Sequence, residues 1–167
     1  MVDEMNQICS AAGSTTARHC ALECDVTDAD RVHAAFESLL GEPLHILVNS
    51  AGIEHTGTFL RTSAEGLASV MASNCYSSMY TSKSAISLFM LKQREGSTAA
   101  IPTLQCSIIV VHSIADADDN DDSGSIVNVG SVVGLVGNRG QVAYSAAKAA
   151  LVGTRRCYID TMQHELR

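Results

Sequence analysis

The chain has 167 residues, 46% hydrophobic and 17% charged, enough apolar material for one domain core and too much for a disordered polymer. A net charge of −7 and a pI near 5.2 argue against general nucleic-acid binding. No run of about eighteen apolar residues occurs, so no membrane span is expected. The acidic start, "MVDEMNQICSAAG", has neither the apolar core of a secretory signal nor the arginines of a transit peptide.

Residues 1–12 suit the end of a helix, with Gly13 as a stop. "RHCALECDV" alternates apolar and polar residues, which predicts a half-buried strand over 18–24. Val32, Ala35, Phe36, Leu39 and Leu40 then recur with the spacing of one helix face. Thr27 or Asp28 can cap that helix, and Gly41 and Pro43 end it. "LHILVN" is a short apolar run, the pattern of a strand over 44–49 buried on both faces, and the loop "SAGIEHTGTF" follows it. From Thr62 to about Arg94 the chain reads as helix, in one piece or two, with a break near Asn74. "SIVNVG" predicts another buried strand over 125–130, and an alanine-rich helix runs over 141–165. Strands alternating with helices imply an α/β domain with a parallel sheet.

Residues 96–122 do not fit this alternation. They hold the apolar run "SIIVV" at 107–111 and then "DADDNDD", five aspartates in seven residues. Such a run reads as solvated loop, and it lacks the glycine and final glutamate of an EF-hand. The domain expectation is therefore one unit over 1–167 with an insertion at about 97–123. Six cysteines occur, none in a C-x-x-C pair, and they read as buried reduced thiols. The six histidines show no ligand spacing, so no metal site is expected.

Chemistry concentrates near the end. Tyr144 and Lys148 stand four residues apart, on one face of the last predicted helix, and Ser131 closes the preceding strand. A phenol ionises near pH ~10 and an ammonium near ~10.4, and an ammonium beside a phenol favours the phenolate. A phenol so placed can exchange a proton with a substrate oxygen, while a serine hydroxyl bonds that same oxygen. The set suits interconversion of carbonyl and alcohol, with a cofactor supplying the hydride that no side chain can. "NSAG" at 49–52 lies at the carboxyl end of a strand, where open α/β sheets bind ligands.

In chain order, "DVTD" at 25–28, "NSAG" at 49–52, Asn74, "NVGS" at 128–131 and "YSAAK" at 144–148 resemble the short-chain dehydrogenase/reductase family. The stretch around the last two motifs is most similar to its 3-oxoacyl-[acyl-carrier-protein] reductases of the mitochondrial type. The resemblance covers Met1–Glu95 and Gly124–Arg167. It implies a doubly wound Rossmann-type parallel sheet, incomplete, with the family's first two and last two strands absent and the chain short at both ends. In the strand order 3-2-1-4-5-6, strand 18–24 is then not a neighbour of strand 44–49.

The resemblance also implies roles. Ser131 would steady the substrate carbonyl, Tyr144 would be the acid/base, and Lys148 would bind the nicotinamide ribose and favour the tyrosinate. Asn74 would hold a water in the proton relay. Asp25 and Val26 would meet the adenine, and Asn49, Ala51 and Gly52 would line the adenosine side of the cleft, with Ser50 in place of the commoner asparagine. "GLVGNRG" has the spacing G-x-x-G-x-x-G and not that of a phosphate loop; it would be a mobile loop facing the substrate. The implied reaction moves a hydride between NADP(H), or NAD(H), and a carbonyl or alcohol, most readily the reduction of a 3-oxoacyl group on acyl carrier protein. The alternative is a catalytically incompetent fragment or non-catalytic interaction subunit of such a reductase. Helices 74–94 and 141–165 would form a homo- or hetero-oligomer interface, in the mitochondrion or cytoplasm, with no nucleic-acid or membrane partner.

Overall fold

A computed structural model describes residues 21–41, 44, 46–90, 105–109 and 125–165. Helix α1 (Ala29–Glu37) starts where the Asp28 carboxylate accepts the Asp30 and Arg31 amides at 3.0 and 3.1 Å, so Asp28 is the cap. Gly41, at φ +109°, then turns the chain towards β1 (Ile46–Asn49). The Ser63 hydroxyl caps α2 (Ala64–Met71) by accepting the Gly66 amide at 3.0 Å. A π turn over Ala72–Tyr76 leads into α3 (Ser77–Ala85), and a second π turn covers Ile86–Met90. The break expected near Asn74 is thus a π turn centred on that residue, and the helix runs on through it.

Strands β2 (Gln105–Ile109) and β3 (Ser125–Val129) follow, then a one-turn helix α4 (Val133–Val136) and the long α5 (Val142–Glu165). The sheet has the order β1-β3-β2 and is parallel throughout. Ile46 pairs with Ser125 and Asn49 with Asn128, so the two apolar runs are parallel neighbours.

One expected strand needs correction. Residues 21–24 of the strand expected over 18–24 form no strand, and Leu22 is half exposed. Alternation makes a strand only beside a ladder partner, and none stands there among the described residues. Within the stretch expected as an insertion at about 97–123 lies β2, which pairs with β3 on the side away from β1. Pairing with an adjacent apolar strand gives those five residues a ladder that their local sequence does not announce. The helix expected over 1–12, residues 18–20, 91–94 and the aspartate run lie outside the described residues.

Two apolar cores result. Ala85, Met90 and Ile126 form one, with Phe36, Leu44, Leu47 and Ile86 packed against them. Val70, Cys75, Ala143 and Ala147 form the other, with Leu67, Met71, Tyr144 and Ala150. Full burial of a side chain such as Ile126 contributes about 1.5–3 kcal/mol. Strand β1 is covered on one face only: Leu47 packs inward, while Ile46 and Val48 are 60% and 56% exposed. Cys24 and Cys75 are free thiols, the first half-buried and the second buried. Among the described residues, no helix is long and apolar enough to cross a membrane, and no group of side chains is arranged to hold a metal ion.

Candidate active site

Ser131 lies just past the end of β3, the central strand. Its hydroxyl oxygen accepts the Val133 amide at 3.4 Å and its carbonyl accepts the Gly134 amide at 3.0 Å, which folds the chain directly into α4. Helix α4 then presses on α5 through Gly134. A Cβ there would stand 2.8 Å from the Lys148 carbonyl carbon and 2.9 Å from the Ala149 nitrogen. The absence of a side chain at 134 therefore holds the Ser131 turn against the turn of α5 that carries Lys148.

Tyr144 is half-buried against the core formed by Val70, Cys75, Ala143 and Ala147. Lys148 is 5% exposed; its Nζ donates to the Val129 carbonyl at 2.9 Å and lies 5.8 Å from the centre of the Tyr144 ring. Burial pushes this ammonium below the usual lysine range, because the charged form has left water and its described acceptor is a neutral carbonyl.

Asn74 is 1% exposed, at the middle of the π turn. Its Nδ2 donates to the Ile53 carbonyl at 2.8 Å and the Val70 carbonyl at 2.9 Å. Its Oδ1 is buried with no partner among the described residues. A Cβ on Gly52 would press on that oxygen and stand 3.8 Å from Lys148 Nζ. Gly52 thus lets a buried amide oxygen and an ammonium approach one small space. A buried unpaired acceptor is the usual mark of a place for a water or a ligand hydroxyl.

The residues expected on the adenosine side divide. Val26, Asn49, Ser50 and Ala51 line one cleft, beside Phe36 and Leu47. Asp25 is exposed and outside that lining. Its carboxylate accepts the Thr27 hydroxyl at 2.7 Å and amide at 2.9 Å, bonds that hold it below the usual carboxylate range and shape the turn before α1. The Asn49 amide is committed elsewhere. Its Nδ2 donates to Asn128 Oδ1 at 2.7 Å and to Ser82 Oγ at 3.2 Å, and its Oδ1 accepts the Thr81 hydroxyl at 2.6 Å. Asn49 therefore lines the cleft while its side chain braces β1, β3 and α3. Of the "GLVGNRG" stretch expected as a loop facing the substrate, residues 134–136 belong to α4, and Gly134 seats that helix on α5. The roles of Thr81 and Ser82 depend on packing that the sequence does not display.

A protein-family model described as "Enoyl-(Acyl carrier protein) reductase" matches residues 2–118, and one described as "short chain dehydrogenase" matches residues 102–167. The chain is 37% identical over 150 residues to the "3-oxoacyl-[acyl-carrier-protein] reductase" of Bos taurus and to that of Homo sapiens, covering 88% of this chain and 51% of each relative. It is 34% identical over 140 residues to "Carbonyl reductase family member 4" of Danio rerio, covering 83% and 46%. The chain spans about half the length of the curated relatives it matches.

Proposed function

Because the chain belongs to the short-chain dehydrogenase/reductase family, we propose that it reduces a carbonyl with a nicotinamide cofactor, NADPH before NADH. The observation that carries this reading is the buried Lys148, fixed to Val129 beneath Tyr144 and facing the space left by Gly52. That space suits the ribose of such a cofactor. Lys148 can donate to its hydroxyls, and the unpaired Asn74 Oδ1 can accept from a water beside it. Val26 and Ala51 would meet the adenine end along their shared cleft.

When bound, the cofactor supplies the hydride to the carbonyl carbon. Tyr144 gives its proton to the carbonyl oxygen as that bond forms. Ser131 donates a hydrogen bond to the same oxygen and fixes its direction. Lys148 stabilises the charge left on the phenolate, and a water at Asn74 passes a proton back. The favoured substrate is a 3-oxoacyl thioester on acyl carrier protein, the substrate in the names of the Bos taurus and Homo sapiens relatives. Exposed Tyr76, Met79, Val142 and Val152 support oligomer contacts through the helical stretch 72–85 and α5.

A second reading, a non-catalytic subunit, draws on the uncovered face of β1, since purely parallel sheets are normally covered on both faces. NADPH titration followed by fluorescence separates the two. Enhancement at micromolar protein, with consumption of NADPH on adding a 3-oxoacyl thioester, is the expected result. No binding at millimolar cofactor would establish the second reading.

A further inference from the structure

We propose that Glu54 and Gln141 are positioning residues, a clasp that ties the Asn74 amide to the turn of α5 carrying Tyr144. The inference rests on the reductase reading only for its effect on rate; the clasp itself is geometric. Gln141 opens α5: it is buried, and its carbonyl accepts the Ser145 amide at 2.8 Å. Both ends of its side chain are engaged. Its Oε1 accepts Asn138 Nδ2 at 2.7 Å, and its Nε2 donates to Glu54 Oε1 at 2.6 Å. The Thr56 hydroxyl donates to the same carboxylate oxygen at 3.1 Å. A main-chain bond closes the clasp, from the Gly57 amide to the Gly140 carbonyl at 2.8 Å.

The other end of this short segment is tied to the reacting centre. Ile53, next to Glu54, offers the carbonyl that accepts Asn74 Nδ2. Residues 53–57 therefore hold Asn74 at one end and the start of α5 at the other, with Tyr144 one turn beyond Gln141. A carboxylate is the strong acceptor in this chain of bonds, since charge-assisted hydrogen bonds are about twice as strong as neutral ones. The loop before α5 turns through Gly137 and Gly140, at φ +73° and +80°, and apart from the clasp the described bonds that hold it are short-range, from the Gly137 amide to the Val133 carbonyl and from the Gln141 amide to the Asn138 carbonyl. Fixing it matters, since a misplacement of about 1 Å at a reacting group can cost roughly 10²-fold in rate.

The test uses the full chain and reads amide hydrogen exchange at Gly57 and Ser145 together with the NMR signal of the Asn74 side-chain amide. E54A should raise exchange at both backbone amides by about tenfold or more and move the Asn74 signal, although Glu54 does not touch Asn74. E54Q keeps an acceptor oxygen and should stay within about threefold of the parent. Q141E places two carboxylates together and should behave like E54A, whereas E54Q/Q141E exchanges donor and acceptor and should restore protection. In a reductase assay, E54A should lower kcat with little change in the carbonyl KM, and E54Q should rescue it. Parent-like exchange in E54A, an unmoved Asn74 signal, or E54Q as damaging as E54A would overturn the proposal. If exchange follows the expected pattern while even the parent reduces no carbonyl, the clasp stands and the reductase reading falls.

Discussion

Lys148 Nζ lies 2.9 Å from the Val129 carbonyl oxygen, so a buried ammonium pins the helix of Tyr144 to the end of the central strand. Burial lowers its pKa in the folded protein below the ordinary 10.5. The unfolded chain then keeps the proton to higher pH than the folded one. Between the lowered value and 10.5 unfolding takes up a proton, so stability rises with pH. Below the lowered value the cost of the buried charge is present in full. Lys148→Met has no such titration. Urea midpoints across the alkaline range should show the parent gaining on the variant as pH rises towards 10.5; a gap independent of pH would contradict this account.

Tyr144→Phe keeps the ring in its apolar contacts and removes only the hydroxyl. The circular dichroism spectrum should be unchanged, while turnover of a 3-oxoacyl thioester falls by at least about 10²-fold, the scale of a lost general acid. Ser131→Ala should also be severe. Wild-type turnover in the Tyr144 variant would assign the proton to another group.

Gly134→Ala forces a methyl group into the backbone of α5 at Lys148 and Ala149. Neither neighbour is the free end of a flexible side chain, so α4 must move off α5. Thermal or urea unfolding should show a loss of about 1–3 kcal/mol, the usual cost of overpacking. Because Ser131 sits in the turn feeding α4, kcat should fall as well. An unchanged stability would mean that α4 is not seated on α5 as described.

Asn49→Ala separates a brace from a cofactor contact. It removes one acceptor of the Thr81 hydroxyl, which also reaches the Ser77 and Ser78 carbonyls, and one donor to Asn128, and each buried hydrogen bond lost costs about 0.5–1.5 kcal/mol. Chemical unfolding should register that loss, with cofactor affinity changing by a smaller free energy. The opposite ranking would return Asn49 to the cofactor.

The elements most legible in the sequence are those whose pattern needs no partner to interpret. The apolar runs at 46–49 and 125–129 and the small-residue helix from 142 announce themselves, and the i, i+4 spacing alone brings Lys148 under the Tyr144 ring. Other features depend on distant residues. β2 becomes a strand through its ladder with β3, and residues 21–24 remain irregular with no described ladder. The Asn49 side chain is claimed by Asn128 and Thr81, which are remote in sequence, and Glu54 gains its place only when Gln141 folds beside it. Local chemistry shows that a residue can bond; it does not say which of several partners reaches it first.

The π turn at Ala72–Tyr76 sets a phase relation between the two cores. It spends one extra residue, which is about 100° of rotation around the helix axis. With that offset, Val70 faces Ala147 on α5 while Thr81 and Ser82 face Asn49 on β1. Removing a single residue from the turn would leave a more regular helix of nearly the same length. It would also swing α3 by about that angle against α2, so that only one of the two faces could dock at a time. The helix therefore tolerates many changes of residue type in this turn more readily than a change in their number, and its two halves are geared together by one residue.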